Sequence, residues 1–141
     1  MLVNNQHYRT IWTQRILANG QVTVAIVDQT KLPHAFAVVS LSNLPQMVHA
    51  IKTMQVRGAP LIGAAAAYGM ALAVQSDASD LHIEKSAQAL LQSRPTAVNL
   101  RWAVNRMQKH LAGLAPSARN QAAWQEAALI CDEDEIGRAH V

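Results

Sequence analysis

The chain has little of several things at once, and each scarcity excludes a class of protein. A single cysteine, Cys131, rules out an internal disulfide framework and suits a reducing compartment. Aromatic residues are only 4% of the chain, few for the base-stacking platforms of single-strand nucleic-acid binders. Charged residues are 15% against 50% apolar, so the chain is expected to bury a core rather than stay disordered. No N-terminal stretch combines the basic start and apolar run of a signal peptide. The longest charge-free apolar run, Ala59 to Gln75, falls just short of the about 18 residues a membrane helix needs, and it contains two glycines and a proline. At 141 residues, one soluble cytoplasmic domain is the expectation.

Positive charge is present, but unevenly. The net charge is +3, yet residues 1–125 hold eleven Lys/Arg against four acids, a net +7. The last sixteen residues carry five acids against Arg138. A basic body points to an anionic partner. The basic residues are scattered singly, which favours a phosphorylated metabolite over nucleic acid, and an ordinary basic surface fits as well.

The hydrophobic period changes once along the chain. Val22, Val24 and Ile26 alternate with Thr23, Ala25 and Val27, the pattern of a half-buried strand. Asn19-Gly20, after Ile16-Leu17, is a hairpin signal because both residues tolerate positive φ. Ala35 to Leu41 reads as a third strand. From Asn43 the period is helical: Leu44, Met47, Val48 and Ile51 form a stripe with Asn43 as N-cap and Pro45 in the first turn. Further helices are expected over Pro60–Gln75, over Leu81–Gln92, and along the stripe Leu100, Val104, Met107, Leu111, Leu114. Gly113 and Pro116 end that stripe, and a last helix starts near Ser117 with Trp124, Ala127, Ala128 and Cys131 on one face. Abundant alanine favours closely packed helices. The expected fold class is α+β, with a small antiparallel sheet (1–41) followed by a helical bundle (42–134).

The junction Val56-Arg57-Gly58-Ala59-Pro60-Leu61 carries the most chemistry. Pro60 suits the first helical turn, Gly58 permits close backbone approach, and the helix start aims unpaired N–H groups at what precedes it. Arg57 adds a full charge, so the junction fits an anion site; it fits equally a loop-to-helix start with a surface arginine. Ser93-Arg94-Pro95-Thr96 repeats the arrangement, with Thr96 or Ser93 able to cap and Asn99, one turn inside the helix, fitting a polar contact or equally a satisfied buried amide. Both arginines can converge on one phosphate-bearing ligand. The small-residue helix Gly63–Ala71 between them fits tight packing, with Tyr68 as a core aromatic.

These blocks resemble the N-terminal region of the methylthioribose-1-phosphate isomerase family. The residues that carry the likeness are Val56–Gly63, Ala65-Ala66-Ala67-Tyr68-Gly69, Arg94-Pro95-Thr96-Ala97-Val98-Asn99-Leu100 and Trp102-Ala103, within a span of roughly Tyr8 to Asp134. Ribose-1,5-bisphosphate isomerase and the regulatory subunits of the eukaryotic initiation-factor nucleotide exchanger share that family fold. The resemblance implies an aldose–ketose isomerase converting 5-methylthioribose 1-phosphate to 5-methylthioribulose 1-phosphate in methionine salvage. It implies substrate binding by Arg57, Gly58, Ala59 and Arg94, no cofactor, no metal, no nucleic acid or membrane partner, and a homodimer when full length. It places the catalytic Cys and Asp in a C-terminal Rossmann-like domain that this chain does not reach, so none of its own residues is expected to be catalytic. Cys131, in the context Ile-Cys-Asp-Glu, does not match the catalytic cysteine and, beside acids, is a poor thiolate former. The run Asp132–Glu135 lacks a metal-ligand spacing, and the six histidines form no ligand pair. His49 and His110 are expected at or near helix surfaces. Glu135–Val141 matches the translation of a sequencing adapter, so residues 135–141 are expected to be foreign to the natural protein.

Overall fold

In the computed structural model, residues 2–3, 6–7, 10–16 and 18–139 are described, with side chains from 10–16 and 18–133. Leu17 and the first and last positions of the resemblance's span and of the tail, Tyr8 and Val141, lie outside the described residues. The order is β1 (Leu2–Val3), β2 (Gln6–His7), β3 (Ile11–Arg15), β4 (Val22–Val27), β5 (Val38–Leu41), then α1 (Leu44–Lys52), α2 (Ala59–Ser76), α3 (Asp80–Ser93), α4 (Val98–Ala112) and α5 (Pro116–Ala139). The fold is α+β, a three-stranded antiparallel sheet in the order β3-β4-β5 followed by helices. β1 and β2 form a separate two-stranded ladder that the sequence pattern did not announce.

The Asn19-Gly20 hairpin exists, with Arg15 facing Val22 and Ile16 N–H donating to the Gln21 carbonyl. Only Gly20 uses positive φ (73°); Asn19 instead accepts the Gln21 amide on its side chain. The third strand is shorter than expected, Val38–Leu41 rather than Ala35–Leu41. β4 is buried on both faces rather than one. Val24 and Ile26 enter the helical core, while Ala25 lies between its cross-strand partners Trp12 and Ser40, and Val27 beside Val38. A central strand with small residues on its outer face is screened by its neighbours there.

α2 is the axis of the bundle. Leu61 to Val74 are buried without a break, against α1, α3, α4, α5 and the sheet. At 18 residues and mean hydropathy 1.3 it is, by length and composition, just long enough to cross a membrane, which corrects the expectation that this run falls short. Its surroundings are those of a core helix: 78% is buried inside the protein. Small side chains let its neighbours approach; a Cβ at Gly69 would meet Met47 Cγ at 3.1 Å and Leu90 Cδ2 at 3.2 Å. Tyr68 packs against Trp124 at 6.1 Å between ring centroids, and Cys131 lies in the same core. The Gln75 amide exchanges two 2.9 Å hydrogen bonds with the Val22 backbone, tying the far end of α2 to the sheet.

Caps fix where the helices start. Asn43 accepts the Gln46 amide at the start of α1, as its position predicts, and Ser79 accepts the His82 amide for α3. At the turn end of the bundle a buried arginine joins three segments. Arg119 donates from Nε to the Leu111 carbonyl at 3.1 Å and from Nη1 to the Ala78 carbonyl at 2.7 Å, and pairs with Asp80 at 2.7 Å. The cation thereby meets the carbonyl-rich end of α4.

The loop before α2 is anchored by Asp28 at the end of β4. Gln55 Nε2 donates to Asp28 Oδ2 at 3.1 Å, and the Gln29 amide donates to the Gln55 carbonyl at 2.9 Å. Burial acts to raise the Asp28 carboxyl, but the Thr30 hydroxyl and amide, Gln55 and the Lys31 charge together hold it below its ordinary value.

Two outcomes follow from these anchors, both read by urea denaturation. Arg119→Ala is expected to cost roughly 2–4 kcal/mol by orphaning buried carbonyls, whereas Asp80→Asn, at a side chain 89% exposed, costs under about 1 kcal/mol. Asp28→Asn is expected to cost about 1–2 kcal/mol at pH 7. Because the folded carboxyl is depressed, the wild-type advantage is present above the unfolded value of about 3.9 and disappears as pH falls through the lower folded value. A difference that persists undiminished in acid contradicts the carboxylate's role.

Candidate functional site

Arg57, Gly58 and Ala59 stand where the sequence places them, at the entry to α2. Gly58 is the N-cap residue at φ 91° and ψ 135°, a conformation that favours glycine, and its carbonyl accepts the first helical bond from Ile62. Pro60 lies in the first turn. No side chain caps this helix, so the Ala59 and Leu61 amides point outward unshared within the helix. Arg57 is exposed and, among the described residues, takes part in no ion pair. With Thr10, Gln29, Gly58, Pro60 and Leu61 it lines a recess of about 240 Å³.

Arg94 sits differently from the expectation. It is the C-cap residue of α3, and α4 starts only at Val98 with Ala97 as its N-cap. Pro95 is therefore outside the helix, and neither Ser93 nor Thr96 caps it. The Ser93 hydroxyl donates back to the Leu90 carbonyl at 2.6 Å, and the Ala97 amide closes a turn onto the Arg94 carbonyl. Arg101 fixes this turn by donating to the Pro95 carbonyl at 2.9 Å. Arg94 is half-buried, and its Nη1 is buried without a hydrogen-bond partner. A buried guanidinium nitrogen left unpaired is costly, and an anion is the partner it suits.

The bundle brings the two junctions to one end. Gly63 in α2 lies against Asn99 in α4, with a Cβ there only 3.4 Å from the Asn99 carbonyl oxygen, so the first turns of the two helices are neighbours. Asn99 is the second residue of α4 and is exposed, neither one turn inside nor a buried amide. Of helices α1 to α4, the two with side-chain caps are α1 and α3, and the two without are α2 and α4. The uncapped pair starts at the arginine end. Uncapped N–H groups, two positive helix-dipole ends and two arginines thus share one end of the bundle.

A second recess, about 330 Å³, lies between Gly63, Val98, Asn99 and Trp102. Arg94 lines neither this recess nor the one at Arg57. Sequence reasoning did not assign Thr10, Gln29, Val98 or Trp102 to the site. The signal for Trp102 was available, since it falls outside the stripe Leu100, Val104, Met107, Leu111 that faces the core. Away from this end, His49 is exposed on α1, and His110 pairs through Nδ1 with Glu126 at 3.2 Å. Among the described residues, no three His, Cys, Asp or Glu gather as a metal-ligand group.

Comparison with known proteins gives a consistent picture. The model of the initiation factor 2 subunit family matches residues 55–141. The methylthioribose-1-phosphate isomerase of Paramagnetospirillum magneticum is 52% identical over 139 residues, covering 99% of this chain and 37% of that protein. Among solved structures, the 5-methylthioribose 1-phosphate isomerase of Pyrococcus horikoshii superposes with a TM-score of 0.74 at 35% identity, over 86% of this chain and 35% of that one. The translation initiation factor eIF-2B subunit delta of A. fulgidus gives a TM-score of 0.78 at 33% identity, over 90% of this chain and 37% of that one. The chain thus spans little more than a third of the length of these relatives. With more than half of its residues matched by the family model, the chain belongs to the initiation factor 2 subunit family.

Proposed function

We propose that this chain is the N-terminal, substrate-binding portion of an aldose–ketose isomerase that converts 5-methylthioribose 1-phosphate to 5-methylthioribulose 1-phosphate in methionine salvage. The observation that carries the reading is the end of the bundle where α2 and α4 begin uncapped, beside exposed Arg57 and the unpaired Nη1 of Arg94. The names of its relatives supply the substrate class. On this reading Arg57, Gly58, Ala59 and Arg94 hold the phosphate: the guanidinium groups neutralise it, and the Ala59 and Leu61 amides donate to its oxygens.

Phosphate on the anomeric oxygen blocks simple ring opening, so the reaction needs an acid at the ring and a shielded path for hydrogen between C2 and C1. None of the site residues above is such an acid. The chain alone therefore binds one side of the phosphosugar and does not turn it over. It works in the cytoplasm and without a cofactor, and the full-length enzyme is a homodimer; residues 1–41 and 42–134 form one domain. The likeness to an initiation-factor subunit favours one other reading, a non-catalytic regulatory module.

Calorimetric titration of the 141-residue chain with 5-methylthioribose 1-phosphate tests the proposal. Binding is expected, with Arg57→Ala and Arg94→Ala each weakening it roughly tenfold or more while the far-ultraviolet spectrum and denaturation midpoint stay the same. Unaltered affinity in both variants, or no binding by the wild type, sinks the phosphate site and leaves the regulatory module.

A further inference from the structure

The recess beside Asn99 is apolar where the rest of this end of the bundle is cationic. Val98 is 78% exposed and Trp102 48%, one helical turn apart on α4, and neither joins the core. The Trp102 ring is held as a wall. The Arg106 guanidinium lies 5.3 Å from its centroid, and Arg106 in turn bonds Glu133 at 2.6 and 3.3 Å and Glu126 at 3.1 Å. Those two carboxylates claim the charge of Arg106, so the one guanidinium over the ring is already paired.

Resting on the phosphosugar reading above, we propose that Val98 and Trp102 seat the methylthio end of the substrate and set the specificity of the site for a thioether over a second phosphate. Pro60 lines the recess at Arg57 and Gly63 lines the one at Trp102. They stand three residues apart on one face of α2, about 4.5 Å along its axis, so the two recesses are successive stations on a single helix. A pentose with its phosphate at the first directs its far carbon toward the second. Thioether sulfur packs favourably on an aromatic ring, and a methyl group gains from the open Val98 surface. Among the described lining residues Gly63, Val98, Asn99 and Trp102 a second phosphate finds no cation, and the nearby Arg106 is already paired with Glu126 and Glu133.

The test titrates the 141-residue chain with 5-methylthioribose 1-phosphate, ribose 1-phosphate and ribose 1,5-bisphosphate, with saturation-transfer NMR on the S-methyl protons. The methylthio compound is expected to bind roughly tenfold tighter than ribose 1-phosphate, the scale on which a small apolar group is discriminated in a pocket. Its S-methyl protons receive saturation. Trp102→Ala removes the advantage while leaving ribose 1-phosphate binding within about twofold, and Trp102→Phe restores most of it. Equal affinity for the first two ligands, tighter binding of the bisphosphate, or parallel loss of both ligands in Trp102→Ala overturns the seat. If Arg57→Ala still weakens all ligands in that case, the phosphate site stands without it. No binding of any of the three overturns both.

Discussion

The structure depends on a helix that has no outside. From Leu61 to Val74 every residue of α2 is covered, so four helices and a sheet must all find room around it. Alanine and glycine make this possible, because a helix with little side-chain bulk lets several backbones come close. The same requirement fixes the ends. α3 returns antiparallel to α2 and α4 runs back alongside it, so the first turns of α2 and α4 meet at Gly63 and Asn99. The candidate site is a consequence of that packing: neither arginine need be near the other in sequence for both to stand at one end.

Capping then divides the labour between the ends. Where a side chain satisfies a helix start, as Asn43 and Ser79 do, the junction is closed and structural. Where none does, the amides remain available to a ligand. The loop into α2 reaches this state through backbone alone, with a glycine N-cap, a proline and the anchor from Gln55 to Asp28. Arg94 reaches it through a turn that holds its backbone by Ala97 and leaves one guanidinium nitrogen buried and unpaired.

What was legible in the sequence was mostly local. Asn43 before Leu44-Pro45, Gly113 after the stripe of α4, and the Asn19-Gly20 turn each act within a few residues, and each was found. The entry to α2 was legible for the same reason: Gly58 and Pro60 dictate the backbone around Arg57. Tertiary effects were not. Nothing local says that β4 is screened on both faces, since Trp12 and Ser40 cover Ala25 only once the sheet has formed. The likeness between Ser93-Arg94-Pro95-Thr96 and the Arg57 junction misled because the turn onto Ala97 delays the start of α4 by one residue, which makes Ala97 the N-cap in place of Thr96. Trp102 was quoted as part of a motif, yet its exposure follows from the period of α4, which assigns the core to its opposite face.

The clamp at Arg119 makes the two ends of the bundle mechanically unlike. One guanidinium holds the α2–α3 loop, the start of α3 and the last turn of α4, so three chain segments at that end move as one piece. Among the described residues the arginine end has no equivalent side-chain stitch between α2 and α4; there the helices meet through the bare backbone of Gly63. The side-chain bonds that tie the neighbourhood of these two helices together are therefore concentrated at the Arg119 end. An anion shared by the two helix starts would supply at the other end the cross-link that Arg119 supplies at this one.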